Sequence, residues 1–252
     1  MAFALATRAI AGYCLGRSGW REDIDRAFAM ARSADPMSYA TVIAIIYSAG
    51  IPLGVLMAND RAVRESEAAL RIAERSGDDL ALANARLALG VALVHRQTAT
   101  ERDRGEKLLA MYLRQEHNLA EIPIANVLLA RERVRRGDRD DAIPLMRAAT
   151  NHLFRGHLLW WGVPATAVLV ETLLDRGADG DIAEAGAAIE RLAAARSDDD
   201  FVLRDLLLLR LRALLARARG GTAAYADLGD RYRAMAKMLD FERHIAWAVA
   251  MP

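Results

Sequence analysis

One spacing limits this chain more than any other feature. A large residue recurs sixteen positions after a usually small one: Gly12 and Phe28, Gly54 and Leu70, Leu93 and Leu109, Ala130 and Met146, Leu173 and Ile189, Ala216 and Tyr232. The large members follow one another at intervals of 42, 39, 37, 43 and 43 residues. Self-similarity at such a period is the signature of a stacked array, in which each unit buries its apolar face only against its neighbours. The unit is seen whole between Gly12 and Pro36, where a short turn, Arg17-Ser18-Gly19, leads into an amphipathic stretch carrying Ile24, Phe28 and Ala31.

The punctuation between periodic stretches is that of helix–turn–helix pairs. Ser18, Asp60, Thr100, Asp138, Asp181 and Thr222 stand where a side-chain oxygen can accept from the open N–H groups of a second helix, often just after Gly or Asn. Six pairs are expected, over about 2–34, 37–76, 79–116, 119–154, 157–196 and 199–239, with a closing helix at 241–250. No Val/Ile/Thr alternation is long enough for a sheet. The expected fold is all-α, a right-handed α-solenoid forming one domain over 1–252. Leu70→Asp or Leu109→Asp is expected to cost on the order of 3 kcal/mol or more by burying an unpaired carboxylate.

Composition excludes several alternatives. With 54% apolar and 27% charged residues the chain can bury a core, and 34 basic against 33 acidic side chains give no global pull toward nucleic acid or an anionic membrane. Cys14 is the only cysteine, so there is no internal disulfide, and a cytoplasmic setting fits. Residues 37–58 carry no charge, a length that can span a bilayer, but Gly50, Pro52 and Gly54 interrupt them and they fall in phase with the array. A packed helix is the expectation there. The N-terminus lacks the marks of a signal peptide. The first helix, with Phe3, Leu5 and Ile10, is read as cut from a longer array or covered by another subunit, which leaves a homodimer open.

The first unit resembles a tetratricopeptide repeat, since Gly12, Phe28, Ala31 and Pro36 have that family's relative spacing. Gly54, Leu70 and Ala73 repeat part of it, as do Ala130, Ala142, Met146 and Ala149, although the period exceeds the usual 34. Residues 6–13 (ATRAIAGY), 230–236 (DRYRAMA) and 241–248 (FERHIAWA) are similar to phrases in the C-terminal helical-repeat region of large actinobacterial signalling regulators. Those regulators join an adenylate-cyclase-like domain or a LuxR-type helix-turn-helix to an ATPase module and a repeat array. The resemblance implies a sensory or partner-binding role. The cyclase, ATPase and DNA-binding parts have no counterpart in these 252 residues, so their activities do not carry over; a fragment of such a multidomain regulator is the alternative reading.

Catalytic signatures are missing from the sequence. There is no phosphate-binding Gly-x-x-x-x-Gly-Lys-Ser/Thr loop, no Gly-x-Ser-x-Gly elbow and no His-Glu-x-x-His pair. His95, His117, His152, His157 and His244 are scattered and read as surface or capping residues, so neither a metal nor another cofactor is expected. Arg136-Gly137-Asp138 and the acidic residues after it read as a turn and a helix start, without the ligand spacing of a calcium loop. Two arginine clusters, Arg131, Arg133, Arg135, Arg136 and Arg139, and Arg204, Arg210, Arg212, Arg217 and Arg219, are interleaved with carboxylates and read as solvated, ion-paired faces rather than a nucleic-acid surface.

The local candidate for binding is Trp160-Trp161. Adjacent helical residues point about 100° apart, so one ring can enter the core while the other projects as an anchor. The other reading has both rings filling the joint between the fourth and fifth pairs. In tetratricopeptide arrays the first helix of each pair lines the concave face; by that resemblance Asn84, Asn126, Arg131 and Glu171 are the polar groove residues beside Trp160 and Trp161. The expected function is non-catalytic binding of a protein or peptide partner, or of a small-molecule effector.

Overall fold

A computed structural model describes residues 1–114, 121–195 and 201–251. Among them are thirteen helices and no strand. The chain forms two compact units, Met1–Leu119 and Ala120–Pro252.

The first unit holds α1 (Ala2–Cys14), α2 (Trp20–Ala31), α3 (Pro36–Gly50), α4 (Asp60–Ser76), α5 (Asp79–Val94) and α6 (Ala99–Leu113). α1, α3 and α5 each pack on the even helix that follows, and α3 packs on both α1 and α5, so the three form a contiguous row. The even helices are bridged by ion pairs about one period apart, Arg61 to Asp25 at 2.6 Å and Arg104 to Glu67 at 2.5 Å. These pairs are largely exposed and contribute little individually.

The second unit holds α7 (Ile122–Arg135), α8 (Arg139–Arg155), α9 (Leu159–Arg176), α10 (Asp181–Ala194), α11 (Val202–Ala218), α12 (Thr222–Leu239) and α13 (Glu242–Ala250). Here α7, α9 and α11 make the row, α8, α10 and α12 pack as their partners, and α13 docks on α12. Arg147 on α8 grips Glu184 on α10 through two bonds of 2.6 and 2.5 Å.

The spaced large residues make the core. Phe28, Leu109, Met146, Ile189 and Tyr232 are all buried to within 1%. Leu70 is the exception, only half-buried. On α4 the inward stripe is Ala62, Ser66, Ala69 and Ala73, which turns Leu70 to the margin and removes the reason to expect a full burial penalty there. Another difference lies at Gly54. The helix expected over 37–58 stops at Gly50: Val55 and Leu56 donate back to the Gly50 carbonyl at 2.9 and 3.0 Å, and Gly54 has φ +76°. Ile51 still has helical backbone (φ −73°, ψ −52°), but Pro52 has no N–H with which to carry the helical ladder on. No helix among the described residues is long and apolar enough to cross a membrane.

Several caps sit one or two residues from their expected places. Asn59 rather than Asp60 accepts from Ala62 N–H at 3.0 Å, and Thr98 rather than Thr100 accepts from Glu101 N–H at 3.3 Å. The residue before α2 is Gly19, with φ +87°, so Ser18 makes no cap there. Asp138, Asp181 and Thr222 likewise make no capping bond: α8, α10 and α12 have no side-chain cap bond, and the residues before α10 and α12 are Gly180 and Gly221. Asp181 instead anchors the preceding turn, holding Arg176 at 2.7 Å and accepting from Ala178 N–H at 2.9 Å. Arg136-Gly137-Asp138 is the expected turn: Gly137 has φ +95°, and Gly137 and Asp138 donate to Val134 and Arg133 carbonyls.

Candidate functional site

The odd helices of the second unit bring several charged side chains together at one partly buried place. Arg131 and Glu132 near the end of α7, Glu171 near the end of α9, Arg210 on α11, and Arg243 and Trp247 on α13 converge there. Arg210 is 7% exposed and binds both oxygens of Glu171 through its two terminal nitrogens. Its guanidinium carbon also lies 4.5 Å from the centre of the Trp247 ring, and that of Arg243 lies 5.0 Å from it. A guanidinium is attracted to the face of an indole, and more so away from water. Glu132, 3% exposed, pairs with Arg135 and stands 3.9 Å from Arg131.

The local structure explains the convergence. Arg131, Glu171 and Arg210 lie about one period apart, so neighbouring odd helices present them side by side. Tyr232, the large residue of α12, then fixes α13: its hydroxyl is 2.8 Å from His244 Nδ1 and 3.2 Å from the His244 carbonyl. His244 is 1% exposed and stacks edge-on against Trp247 at 5.1 Å, which sets the indole beneath the two arginines.

The electrostatics are uneven. Burial, followed by the positive charges of Arg135 and Arg243, pulls the Arg131 guanidinium down to about 9. Burial and Arg135 pull Arg243 down to about 10. Arg210 moves the other way, because the charge and hydrogen bonds of Glu171 outweigh its burial. Keeping such groups out of water costs several kcal/mol per unpaired ion, so a buried ion cluster is poor evidence of a stability device.

The expected groove residues are distributed over this structure as follows. Arg131 and Glu171 come together, each in the other's electrostatic field. Trp161 is 7% exposed and Trp160 half-exposed, their rings edge-to-face at 6.2 Å. Trp160 and Glu171 share one face of α9, since eleven residues return within about 20° of the same direction, but the rise puts them roughly 16 Å apart. The tryptophan pair therefore stands at the opposite end of α9 from the charged cluster. Asn126 is exposed on α7. Asn84 belongs to the first unit, where it is buried and donates to Thr41 Oγ1 at 3.2 Å.

Arg210, Arg243, Glu132 and Trp247 were not singled out as site residues by sequence. The two arginine clusters, read as solvated faces, divide: Arg139 reaches Asp175 at 2.7 Å and Arg212 reaches Glu190 at 3.3 Å on the surface, whereas Arg131 and Arg210 turn inward. The histidines also differ from a purely surface set. His95 caps α5 with Nδ1 2.7 Å from the Val91 carbonyl, and His244 is core. His152 and His157 are exposed, and His117 lies outside the described residues. Among the described residues no group of three His, Cys, Asp or Glu can hold a metal ion.

A cleft of about 220 Å³ lies between α8 and α10, floored by Thr166 and Leu169 of α9. On its rim Arg147 holds Glu184, and Arg191 holds Asn151 while covering the Phe154 ring at 4.3 Å, whereas the buried Thr150 hydroxyl in the lining has no hydrogen-bond partner among the described residues. No known family model, curated protein or solved structure matches this chain.

Proposed function

We propose that the chain is a non-catalytic binding module, a right-handed solenoid of tetratricopeptide-like helix pairs, whose ligand lies along the row of odd helices in the second unit. The observation that carries the reading is the joining of Arg131, Glu171, Arg210, Arg243 and Trp247 from four separate helices at one partly buried place. Each helix contributes one or two residues, so a ligand there senses the packing of the whole row. A binding site that depends on several joints is suited to a sensor, because occupancy favours one arrangement of those joints over others. The resemblance to helical-repeat regions of signalling regulators supports the same role, an effector- or partner-binding part in a cytoplasmic regulator. The surface arginines support no nucleic-acid reading, since several are committed to carboxylates of neighbouring helices.

Native mass spectrometry of the full chain, isolated from its source cells, tests the proposal. The parent is expected to carry a bound species that Arg243→Glu loses and Arg147→Glu, on the other row, retains. A parent that carries nothing, or a species held equally by both variants, would overturn it.

A further inference from the structure

We propose that the cleft between α8 and α10 is a binding site for a monocyclic aromatic carboxylate. The site lies outside the odd-helix row, and its ligand is independent of the one proposed there.

Two matching helical stripes build the cleft. Arg147, Thr150, Asn151 and Phe154 recur at i, i+3, i+4 and i+7, so they share one face of α8 and line the cleft from that side. On α10 the stripe at the same spacing is Glu184, Ala187, Ala188 and Arg191. The stripes meet at both ends. Arg147 grips Glu184 at one end, and Arg191 covers the Phe154 ring at the other, about 10 Å further along the helix. Between these closures Thr150 and Asn151 are opposed by the two alanines, which are too small to fill the gap, and Thr166 and Leu169 of α9 make the floor. A cavity of about 150 Å³ lined by apolar side chains holds benzene, so this cleft of about 220 Å³ has room for one six-membered ring with a small substituent.

The polar groups select the substituent. Thr150 is 4% exposed, and its hydroxyl has no hydrogen-bond partner among the described residues. A threonine inside a helix can donate to the carbonyl four residues back, as Thr166 does to Gly162 at 2.7 Å. Thr150 does not, and a buried hydroxyl left open is costly enough to point to a missing partner. Arg191 supplies the charge. One of its terminal nitrogens donates to the Asn151 side chain, but it meets no carboxylate among the described residues, whereas Arg147 is neutralised by Glu184. A single positive charge therefore stands at the exposed mouth of a slot with a buried floor. A ligand carboxylate there accepts from Arg191 with one oxygen and from the Thr150 O–H with the other, while its ring lies over Leu169 toward the Arg147–Glu184 pair. A neutral alcohol would leave Arg191 without a counter-charge, and an amine would be repelled by it.

A ligand of about ten heavy atoms held by one hydroxyl and one exposed guanidinium binds with a dissociation constant of about 1 mM. The cleft therefore stands empty in the purified chain and in dilute cell extract, and fills when ligand is supplied. The test is a titration of the full chain, labelled at its alanine and leucine methyl groups, with sodium benzoate, benzyl alcohol or sodium acetate at constant ionic strength, followed by heteronuclear NMR. Benzoate is expected to shift the Leu169 and Ala187 methyl signals saturably, acetate to leave them in place, and benzyl alcohol to bind at least about threefold more weakly. Thr150→Val and Arg191→Gln should each weaken benzoate by about threefold or more, and Ala187→Leu, which fills the gap opposite Thr150, should abolish its binding. No saturable shift with benzoate, an unchanged affinity in any of the three variants, or benzyl alcohol binding as tightly as benzoate would overturn the proposal. Thr150→Val exchanges an unpartnered hydroxyl for a methyl of the same shape, so its urea midpoint should match the parent's, which separates lost recognition from lost fold. A lowered midpoint would show a hydroxyl already bonded within the fold and would also overturn it.

Discussion

Alanine at Gly105 and alanine at Gly229 should shift stability in opposite directions. Both glycines lie inside helices, α6 and α12, where alanine is intrinsically better by about 1 kcal/mol. Propensity alone predicts the same gain at both. At Gly105, however, a Cβ would stand 2.8 Å from Leu93 Cβ, 2.8 Å from Val94 N and 2.9 Å from Gly90 O. None of these atoms can swing aside, since two are backbone and the third is fixed to it. Gly90 opposes Gly105 across the same crossing, and a Cβ there would meet Leu109 at 2.9 Å. Restoring ordinary contact would require α5 and α6 to separate by about 0.6 Å, loosening the seat of Leu109. Overpacking of this kind costs roughly 1–3 kcal/mol, and contact with rigid backbone belongs at the upper end. The net expectation for Gly105→Ala is a loss of about 1–2 kcal/mol. At Gly229 nothing lies within 4 Å of the added carbon, so Gly229→Ala should gain about 1 kcal/mol. Urea unfolding followed by circular dichroism reads both signs, and a raised midpoint for Gly105→Ala would refute the close α5–α6 crossing.

Three further outcomes follow from burial and charge. Leu109→Asp should cost at least about 3 kcal/mol and Leu70→Asp only about 1–2 kcal/mol, compared by urea midpoints, because Leu109 is 0% exposed and Leu70 sits at the margin. Glu171→Gln should destabilise by about 1–2 kcal/mol, since it strips Arg210 of its carboxylate, whereas Arg210→Met should stay within about 1 kcal/mol of the parent in the same assay. Burial raises the phenols of Tyr13, Tyr39, Tyr47 and Tyr232, Tyr39 to about 12. Their folded-state values lie above the unfolded value of about 10, so the stability they contribute is complete below pH 10 and is lost as pH climbs through the folded values. Arg131 and Arg243, depressed to about 9 and about 10, act in the opposite sense, but two groups against four leave a net fall above pH 10. Phenolate absorbance at pH 11 should find these four of the six tyrosines still protonated in the folded chain and all six largely ionised in urea.

The helices were legible because their signals are local. Phe28, Met146 and Ile189 announce buried stripes by spacing alone, and the Gly137 turn announces itself by composition. Leu70 was misplaced because α4 carries alanines beside it, and a period cannot tell which of two adjacent apolar residues faces inward. Gly54 kept its spacing although the helix had already ended at Gly50. The charged cluster was half legible. Arg131 and Glu171 could be named from their place on first helices, but Arg210 and Arg243 sit in charge-rich stretches that look solvated. Which of those arginines turns inward depends on how α11 and α13 pack against α9, and that register is tertiary information. Trp160 and Trp161 stand out in sequence for their size, yet α9 carries them to the far end from Glu171.

The most direct measurement of the central claim is hydroxyl-radical footprinting of the full chain, purified and then returned to an extract of its source cells. The account predicts protection of Trp247 and of α9 and α11 side chains around Glu171 and Arg210, with Phe154 and Leu169 in the α8–α10 cleft unchanged. Protection confined to that cleft, or none at the odd-helix row, would contradict it.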